Sequence, residues 1–353
     1  MPYRDDHSIL IAGCGTSQAA KYAARYPGAR VIGIDVSATG IEQTRMLAER
    51  YQLGNLELRR LAIEDAGQLG ESFDQIVCTG VLHHLADPEI GLGALREVLA
   101  AGGALDAMLY APYGRTGVYM IQEYCRMLGV RPEPGEIDDL IAALRELPQD
   151  HPLGHLLRNT PDFADDDALA DALLNPRDRA YSVPGVFALL AAAGLQFGRW
   201  VRQAPYLPQC GVLSELRHGD RIGALPIEQQ FAALELYRGT MVRHSFIAHR
   251  DDESPTTIRF DGDAWRRYVP VRTANSVAVE DRLPTGVAAA LLNRAHTYTD
   301  LVMFATREQK RMFDLIDGRS TIDEIGQDAT FFERLWWHDL IVIDVSRDLV
   351  HDE

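Results

Sequence analysis

Short apolar runs alternate with amphipathic stretches through the first 110 residues. The apolar runs are typical of parallel strands buried on both faces, and they predict strands over residues 8–12, 31–35, 56–61, 73–78 and 104–110. Helical stretches that end at Gly or Pro separate them. Strands that alternate with helices predict an α/β fold with a doubly wound, mostly parallel sheet.

The pattern changes twice beyond residue 110. Residues 112–176 are helical but interrupted by prolines, which predicts a helical insertion that caps the substrate side. Strand and helix signals then resume, and two further strands over 195–203 and 241–250 complete a predicted seven-stranded sheet. We therefore expect one domain over residues 1–250 and a C-terminal accessory domain over residues 251–353.

The C-terminal hundred residues have a different pattern of helix start signals. Thr306, Thr321 and Thr330 each stand three residues before Gln or Glu, the spacing of a capping box that begins a helix. An apolar run over residues 340–345 predicts a closing strand. Short helices followed by a strand indicate a small α+β domain of winged-helix type, for which we expect a role in partner binding, substrate binding or dimerisation.

Composition narrows the class of protein. The chain has 353 residues, 46% of them hydrophobic, and a formal charge of −16. An acidic balance disfavours nucleic acid as a partner, because phosphates require a basic surface. No apolar run reaches the ~20 residues of a spanning helix, and the polar start has no secretory pattern, so we expect a cytoplasmic protein without membrane association. The four widely spaced cysteines indicate free thiols, and no metal site is predicted.

A glycine turn and an acid carry the clearest chemistry. Gly13-Cys14-Gly15 directly follows the first predicted strand, and Asp35 ends the second, twenty residues after Gly15. This arrangement binds a nucleoside cofactor, with the acid on the ribose hydroxyls. A dinucleotide site would have a third glycine where Gln18 stands, and the turn has no basic residue for a phosphate. S-adenosylmethionine is therefore favoured over NAD, and an NAD-dependent oxidoreductase is disfavoured.

Several motifs together resemble the class I S-adenosylmethionine-dependent methyltransferases. They are the turn over 9–18 with the strand end over 31–37, the Ile63-Glu64-Asp65 triplet, the segment 73–88, which includes Thr79-Gly80-Val81-Leu82-His83-His84, and the helix and turn over 96–105. The likeness covers residues 8–112 and extends in topology to about residue 250. The amino-acid sequence of these motifs is similar to that of a bacterial group with extra C-terminal modules and, more remotely, to that of rickettsial protein-lysine methyltransferases. Residues 316–325 resemble winged-helix modules that bind leader peptides.

The resemblance implies a Rossmann-like methyltransferase fold and a set of cofactor contacts. Gly13 and Gly15 would lie under the methionine part, Asp35 would bind the ribose, and Ile63 would border the adenine. The full implied cofactor set is Ala12, Gly13, Cys14, Gly15, Gln18, Asp35, Val36, Ile63, Glu64, Thr79 and Val81. Ile11 and Ser17 depart from the usual acid and glycine, so the amino-acid end of the cofactor is expected to be held differently.

Candidate acceptor-side residues follow the fourth and fifth strands. His83, His84 and Tyr113 are candidate catalytic groups, and Tyr110, Tyr113 and Arg115 are candidate substrate contacts. Histidine titrates near neutral pH and can take a proton from the acceptor. Packing under the cofactor stays open as the alternative for both histidines, and loop packing for Tyr113 and Arg115.

Two functions remain in view. The first is an enzyme that transfers a methyl group to N or O of a small molecule or a peptide or protein, releases S-adenosylhomocysteine, and forms a homodimer. The second is a non-catalytic S-adenosylmethionine-binding regulatory protein whose C-terminal module binds a partner. The intact motif from Thr79 to Pro88 favours the enzyme, since a non-catalytic binder has no need of the substrate side.

Overall fold

The computed structural model describes residues 6–159, 172–175, 178–253 and 257–345. Seven strands form one sheet in the order β3-β2-β1-β4-β5-β7-β6. Strand β7 runs antiparallel to both of its neighbours, and the other pairs are parallel. The strands are β1 Ser8–Ala12, β2 Arg30–Asp35, β3 Leu56–Arg60, β4 Phe73–Thr79, β5 Leu99–Tyr110, β6 Leu195–Trp200 and β7 Arg243–Arg250.

Helices cover both faces of this sheet. They are α1 Gln18–Arg25, α2 Ala38–Arg50, α3 Pro88–Glu97, α4 Thr116–Leu128, α5 Pro134–Arg145, α6 Pro152–Asn159, α7 Val183–Ala192, α8 Arg217–Gly223 and α9 Ile227–Arg238. Alternate residues of β1 serve different cores: Ile9 and Ile11 join one hydrophobic cluster, while Leu10 joins the other. A central parallel strand must therefore be apolar throughout, which is why its sequence identified it.

The predicted doubly wound sheet is confirmed, with shifted boundaries. Helix α3 ends at Glu97, and β5 begins at Leu99 rather than at residue 104. Gly102, at φ 71°, lies inside this strand, where pairing with β4 skips from Leu99 to Ala104. The Gly-Gly pair that predicted a turn instead forms an irregularity in the strand. Strand β6 ends at Trp200 and β7 begins at Arg243, both shorter than predicted.

The C-terminal part contains more strand than the sequence indicated. Its strands are β8 Val269–Arg272, β9 Ser276–Val279, β10 Ala289–Asn293, β11 Val302–Ala305 and β12 Ile341–Asp344. Strand β12 pairs with β8, and β9–β10–β11 form a separate antiparallel sheet. The sequence predicted β12 and missed the other four, which are short and separated by turns. The winged-helix type stays a prediction.

Three helices pack on these strands: α10 Arg307–Leu315, α11 Ile322–Ile325 and α12 Ala329–Trp337. The capping boxes at Thr306 and Thr321 are present. The third predicted box is wrong, because Asp328 caps α12 through Phe331 N at 2.9 Å and Thr330 lies inside the helix. Aspartate is the stronger N-cap residue. Among the described residues, no helix is both long and apolar enough to span a bilayer.

Asp339 joins the C-terminal part to the first sheet. Its two carboxylate oxygens accept hydrogen bonds from Gln203 N at 3.1 Å and Ala204 N at 2.9 Å, just beyond β6. Arg199 and His296 lie 3.6 and 3.4 Å from the same carboxylate. Asp339 is 5% exposed, and burial raises its pKa to about 6. One buried acid thus satisfies two backbone donors from the other part of the chain.

Replacing Asp339 with asparagine should destabilise the fold. An amide keeps only one acceptor oxygen, so one buried N–H loses its partner, at a cost of about 1–3 kcal/mol. Chemical denaturation would measure the free energy of unfolding. The matched control is Asp281→Asn, whose exposed carboxylate pairs with exposed Arg282; it should change stability by less than about 0.5 kcal/mol. Equal effects of the two substitutions would contradict the assigned role of Asp339.

Candidate functional site

The turn between β1 and α1 is shaped by two glycines in the left-handed region. Gly13 has φ 72° and Gly15 has φ 54°, values that side chains other than glycine rarely adopt. Gly13 N and Cys14 N both donate to Ile34 O at 2.9 Å, so the turn is tied to β2. A Cβ on Gly13 would lie 2.4 Å from Val81 Cγ2, whereas one on Gly15 would have no atom within 4 Å. Backbone is therefore left bare beside open space at Gly15.

Asp35 connects the turn to the end of β2. Its Oδ2 accepts from Gly15 N at 2.8 Å, and its Oδ1 accepts from Ser37 N at 2.8 Å. Each carboxylate oxygen has a further lone pair for an additional donor. The carboxylate therefore holds the turn in place and can still accept two ribose hydroxyls, as the sequence predicted for a nucleoside.

Gln18 and Thr79 bring α1 and β4 together. Gln18 Nε2 donates to Thr79 Oγ1 at 2.6 Å, across the gap between the first helix and the end of the fourth strand. The Cys14 side chain is buried behind the turn, and burial, with Asp35 nearby, raises the pKa of its thiol to about 12. Cys14 is therefore a neutral packing residue. The side chain of Gln18 occupies the position where a dinucleotide-binding site has its third glycine.

The side predicted for adenine has apolar and polar members. Ile63 is buried, Glu64 is exposed, and Val36 is 63% exposed directly after Asp35. An exposed valine beside Asp35, the residue predicted to bind the ribose, offers an apolar surface to a flat base. Ala12 is fully buried at the end of β1, directly before the turn. The predicted cofactor residues therefore converge on one edge of the sheet, at the carboxyl ends of β1, β2 and β4, where ligands bind in such folds.

On the acceptor side, Tyr110 lies between a histidine and an arginine. The ring centroid of His83 is 3.9 Å from that of Tyr110, and Arg115 Cζ is 3.6 Å from the same centroid. Two groups this close would collide on one face, so they must occupy opposite faces of the ring. His83 and Arg115 are 0% and 5% exposed. The sequence predicted Arg115 as a substrate contact, whereas its guanidinium is buried in a stack.

His83 is neutral and enclosed. Burial, with His84 and Arg115 nearby, lowers the pKa of His83 to about 3. Neither ring nitrogen makes a well-directed hydrogen bond to any described residue. His84 and Tyr113 are more accessible: His84 is half-buried, with its Nδ1 3.4 Å from Asn175 Nδ2, and Tyr113 is 42% exposed. An acceptor that approaches from solvent meets these two residues before it meets His83.

Sequence reasoning missed Asp178 and Gln122. Asp178 Oδ2 accepts from Arg115 Nη2 and from Gln122 Nε2, each at 3.0 Å, and the Asp178 side chain is 1% exposed. Asp178 follows the predicted insertion, in a stretch with no recognisable motif. The single available signal was Arg115, whose charge needs a partner once buried.

The same cluster holds three groups that could ligate a metal. Donor atoms of His83, His84 and Asp178 lie within 4.8 Å of one another. Asp178 already neutralises Arg115 at 3.0 Å, so a divalent cation added here would leave excess positive charge in a buried site.

Comparison with known proteins identifies the domain. A family model described as "Methyltransferase domain" matches residues 10–105, from β1 into β5. An uncharacterized protein of Synechococcus sp. is 31% identical over 275 residues, which are 75% of this chain and 65% of that protein. Residues 10–105 therefore form a domain of the methyltransferase family. The family predicted from the motifs is confirmed.

Other relatives extend the comparison. The ubiquinone biosynthesis O-methyltransferase of Cereibacter sphaeroides is 36% identical over 97 residues, 28% of this chain and 38% of that enzyme. The structure of PKMT2 from Rickettsia typhi in complex with AdoHcy superposes with a TM-score of 0.70 at 14% identity, covering 97% of this chain and 72% of that one. The latter likeness shows that the fold extends beyond the methyltransferase domain. The match covers 65% of the length of the Synechococcus protein and 38% of the length of the Cereibacter enzyme.

Gly13→Ala should destabilise the methyltransferase domain. The substitution places a side chain at φ 72° and against Val81, and a non-glycine residue in this region costs about 1–3 kcal/mol. Denaturation would measure the loss, and Val81→Ala in the same chain should restore part of it by removing the collision. The matched control is Gly93→Ala in helix α3, where a Cβ meets nothing within 4 Å; it should stabilise by about 0.5–1 kcal/mol. A Gly13→Ala variant as stable as the parent protein would contradict the prediction that this turn requires glycine.

Proposed function

We propose that this chain is an S-adenosylmethionine-dependent methyltransferase that acts on N or O of a small molecule or of a peptide or protein. The observation that carries the proposal is the double use of Asp35. Its carboxylate is fixed by Gly15 N and Ser37 N, at the point where a bare glycine turn faces open space. This combination fits a cofactor in which an amino-acid end without phosphate is joined to a sugar, and it offers no cation to a phosphate.

When bound, S-adenosylmethionine supplies a methyl group already activated by a sulfonium sulfur. The residues of the chain then have to position the acceptor about 3 Å away and in line. Thr79, held by Gln18, and Val81, packed on Gly13, form the wall between the two sides. Both residues are half-buried, and their position favours an acceptor over water as the nearest nucleophile.

We propose His84 and Tyr113 as the groups that meet the acceptor, with His83 behind them. An acceptor nitrogen or oxygen that arrives protonated needs a base within hydrogen-bonding reach. The exposed position of Tyr113 and the half-buried position of His84 support this assignment. His83, neutral and stacked on Tyr110, supports the ring and could take a proton only through a neighbour. The names of the ubiquinone O-methyltransferases are consistent with oxygen as the acceptor atom.

The C-terminal part is proposed to be an accessory domain over residues 251–353. Trp337 packs against the main hydrophobic cluster of the methyltransferase domain, and Asp339 holds the backbone beyond β6. These contacts support a part that is fixed in place rather than tethered. Its role in binding a partner, a substrate or a second copy stays a prediction.

Asp35→Ala should weaken binding of S-adenosylhomocysteine by about 1–3 kcal/mol, the cost of leaving ribose hydroxyls unpaired. Titration calorimetry would give the dissociation constants of parent and variant. Glu49→Ala, at an exposed position of helix α2, is the control and should bind as the parent does. Unchanged affinity in Asp35→Ala, or tight binding of NADH by the parent protein, would count against the assigned cofactor.

Methyl transfer is tested directly with the purified chain, S-adenosylmethionine labelled in its methyl group, and two fractions of a bacterial extract. We expect label in either the metabolite or the protein fraction, and Asp35→Ala should abolish most of it. The fraction that takes the label identifies the acceptor class. Binding of S-adenosylhomocysteine without transfer to either fraction would favour the alternative, a regulatory protein that binds the cofactor without catalysis.

A further inference from the structure

A short segment at the end of the helical insertion contacts the acceptor side. Residues 172–175 and 178–181 reach α4 and the end of β5 through Gln122 Nε2 to Ala172 O at 2.8 Å and Tyr181 N to Tyr110 O at 2.8 Å. Asp178 is the charged member of this segment. It meets Arg115 in the interior, where the Arg115 and Asp178 side chains are 5% and 1% exposed.

A series of side-chain contacts leads from Asp178 to the histidines at the carboxyl ends of β4 and β5. Asp178 holds Arg115, Arg115 covers one face of Tyr110, and His83 covers the other. The rings of His83 and His84 are 4.2 Å apart, so the stack ends at the group proposed to meet the acceptor. A buried guanidinium is stable in such a place only while its charge is paired, and so the order of the stack depends on Asp178.

We propose that Asp178 is a positioning residue for methyl transfer, acting through Arg115 and Tyr110 on the place of the acceptor. The inference rests on the proposed function. One oxygen of Asp178 is fixed by Arg115 and Gln122, which holds the guanidinium over the Tyr110 ring. Without the carboxylate, Arg115 turns toward solvent, one face of Tyr110 is uncovered, and the tyrosine and the histidine pair lose their fixed orientation.

Within the described part of the chain, the predicted cofactor residues make their side-chain hydrogen bonds away from Asp178 and Arg115. Asp35, Gly15 and Gln18 are held by each other, by Ser37 and by Thr79. A change at Asp178 should therefore lower the turnover of bound cofactor and leave its affinity almost unchanged. A defect confined to turnover separates positioning from a general loss of structure.

The chain contains a matched control for this arrangement. Arg238 lies 4.4 Å over the ring of Tyr298 and pairs with Asp300 at 3.2 Å, and its side chain is 4% exposed. This second arginine–tyrosine–aspartate group lies outside the proposed site. Asp300, whose side chain is 27% exposed, makes no hydrogen bond to the acceptor-side residues, so Asp300→Asn removes a carboxylate from a comparable arginine–tyrosine stack elsewhere in the described structure.

The experiment compares Asp178→Asn and Asp300→Asn in the full chain. Initial rates use methyl-labelled S-adenosylmethionine and the extract fraction that accepts label from the parent protein, at a temperature where thermal denaturation shows both variants folded. We expect Asp178→Asn to lower kcat by about 10–100-fold, the range for a small misplacement at a reacting centre. The KM for S-adenosylmethionine and the dissociation constant of S-adenosylhomocysteine should stay within twofold. Asp178→Glu should restore part of the rate, and Asp300→Asn should keep it.

Three outcomes would overturn the inference: equal rates for Asp178→Asn and Asp300→Asn, a rate loss matched by lost affinity for S-adenosylhomocysteine, or no rescue by Asp178→Glu. If Asp178→Asn does not fold, Gln122→Leu takes its place; it removes the second donor to Asp178 and keeps the charge pair. This variant should lower kcat by a smaller factor with affinity unchanged, and a rate equal to that of the parent would count against the inference. If the parent protein binds S-adenosylhomocysteine but transfers no label, the proposed function itself fails, which is a separate result.

Discussion

The carboxylate of Asp35 connects the first two strands of the sheet to the turn between β1 and α1. A parallel sheet brings the ends of β1 and β2 to the same edge, and the acid at the end of β2 then lies within 2.8 Å of Gly15 N. Backbone donors at a turn need partners when water is excluded. Because Asp35 satisfies two of them and retains spare lone pairs, the same side chain shapes the turn and prepares it for a ligand with hydroxyl groups.

The acceptor side is built on a different principle. Here a buried cation, Arg115, is stabilised by Asp178 and by the face of Tyr110. Breaking a buried ion pair by removing one partner is costly, because the other charge is left uncompensated. This side of the edge therefore depends on a segment distant in sequence for the partner of its buried charge. The cofactor side is held by hydrogen bonds of backbone and neutral side chains around one carboxylate, whereas the acceptor side depends on a buried charge pair.

The C-terminal part is likewise connected to the rest of the chain through a buried carboxylate. Asp339 accepts from two backbone N–H groups beyond β6 and lies near Arg199 and His296. Burial of this acid is tolerated because both oxygens are hydrogen-bonded. Asp178 and Asp339 thus each connect a later segment of the chain to the first sheet, and each does so through a carboxylate inaccessible to water.

The sequence by itself determined the elements whose signal is local. Continuous apolar runs such as Ile9-Leu10-Ile11 mark strands buried on both faces, and Gly13, Gly15 and Asp35 mark a cofactor turn because each residue type suits its own backbone position. Capping at Thr306 and Thr321 was predictable for the same reason. Short strands such as β9 were not, because their stability comes from pairing across the sheet and not from their own pattern.

Only the tertiary structure decided what surrounds the reacting edge. Tyr110 and Arg115 were visible as candidates, but the burial of Arg115, the enclosure of His83 and the partner at Asp178 depend on contacts across 63 residues of chain. A charged residue in a loop is the same in sequence whether it faces water or an ion pair. Its chemistry is set by the local dielectric and by its partner, and both come into existence only when distant segments pack together.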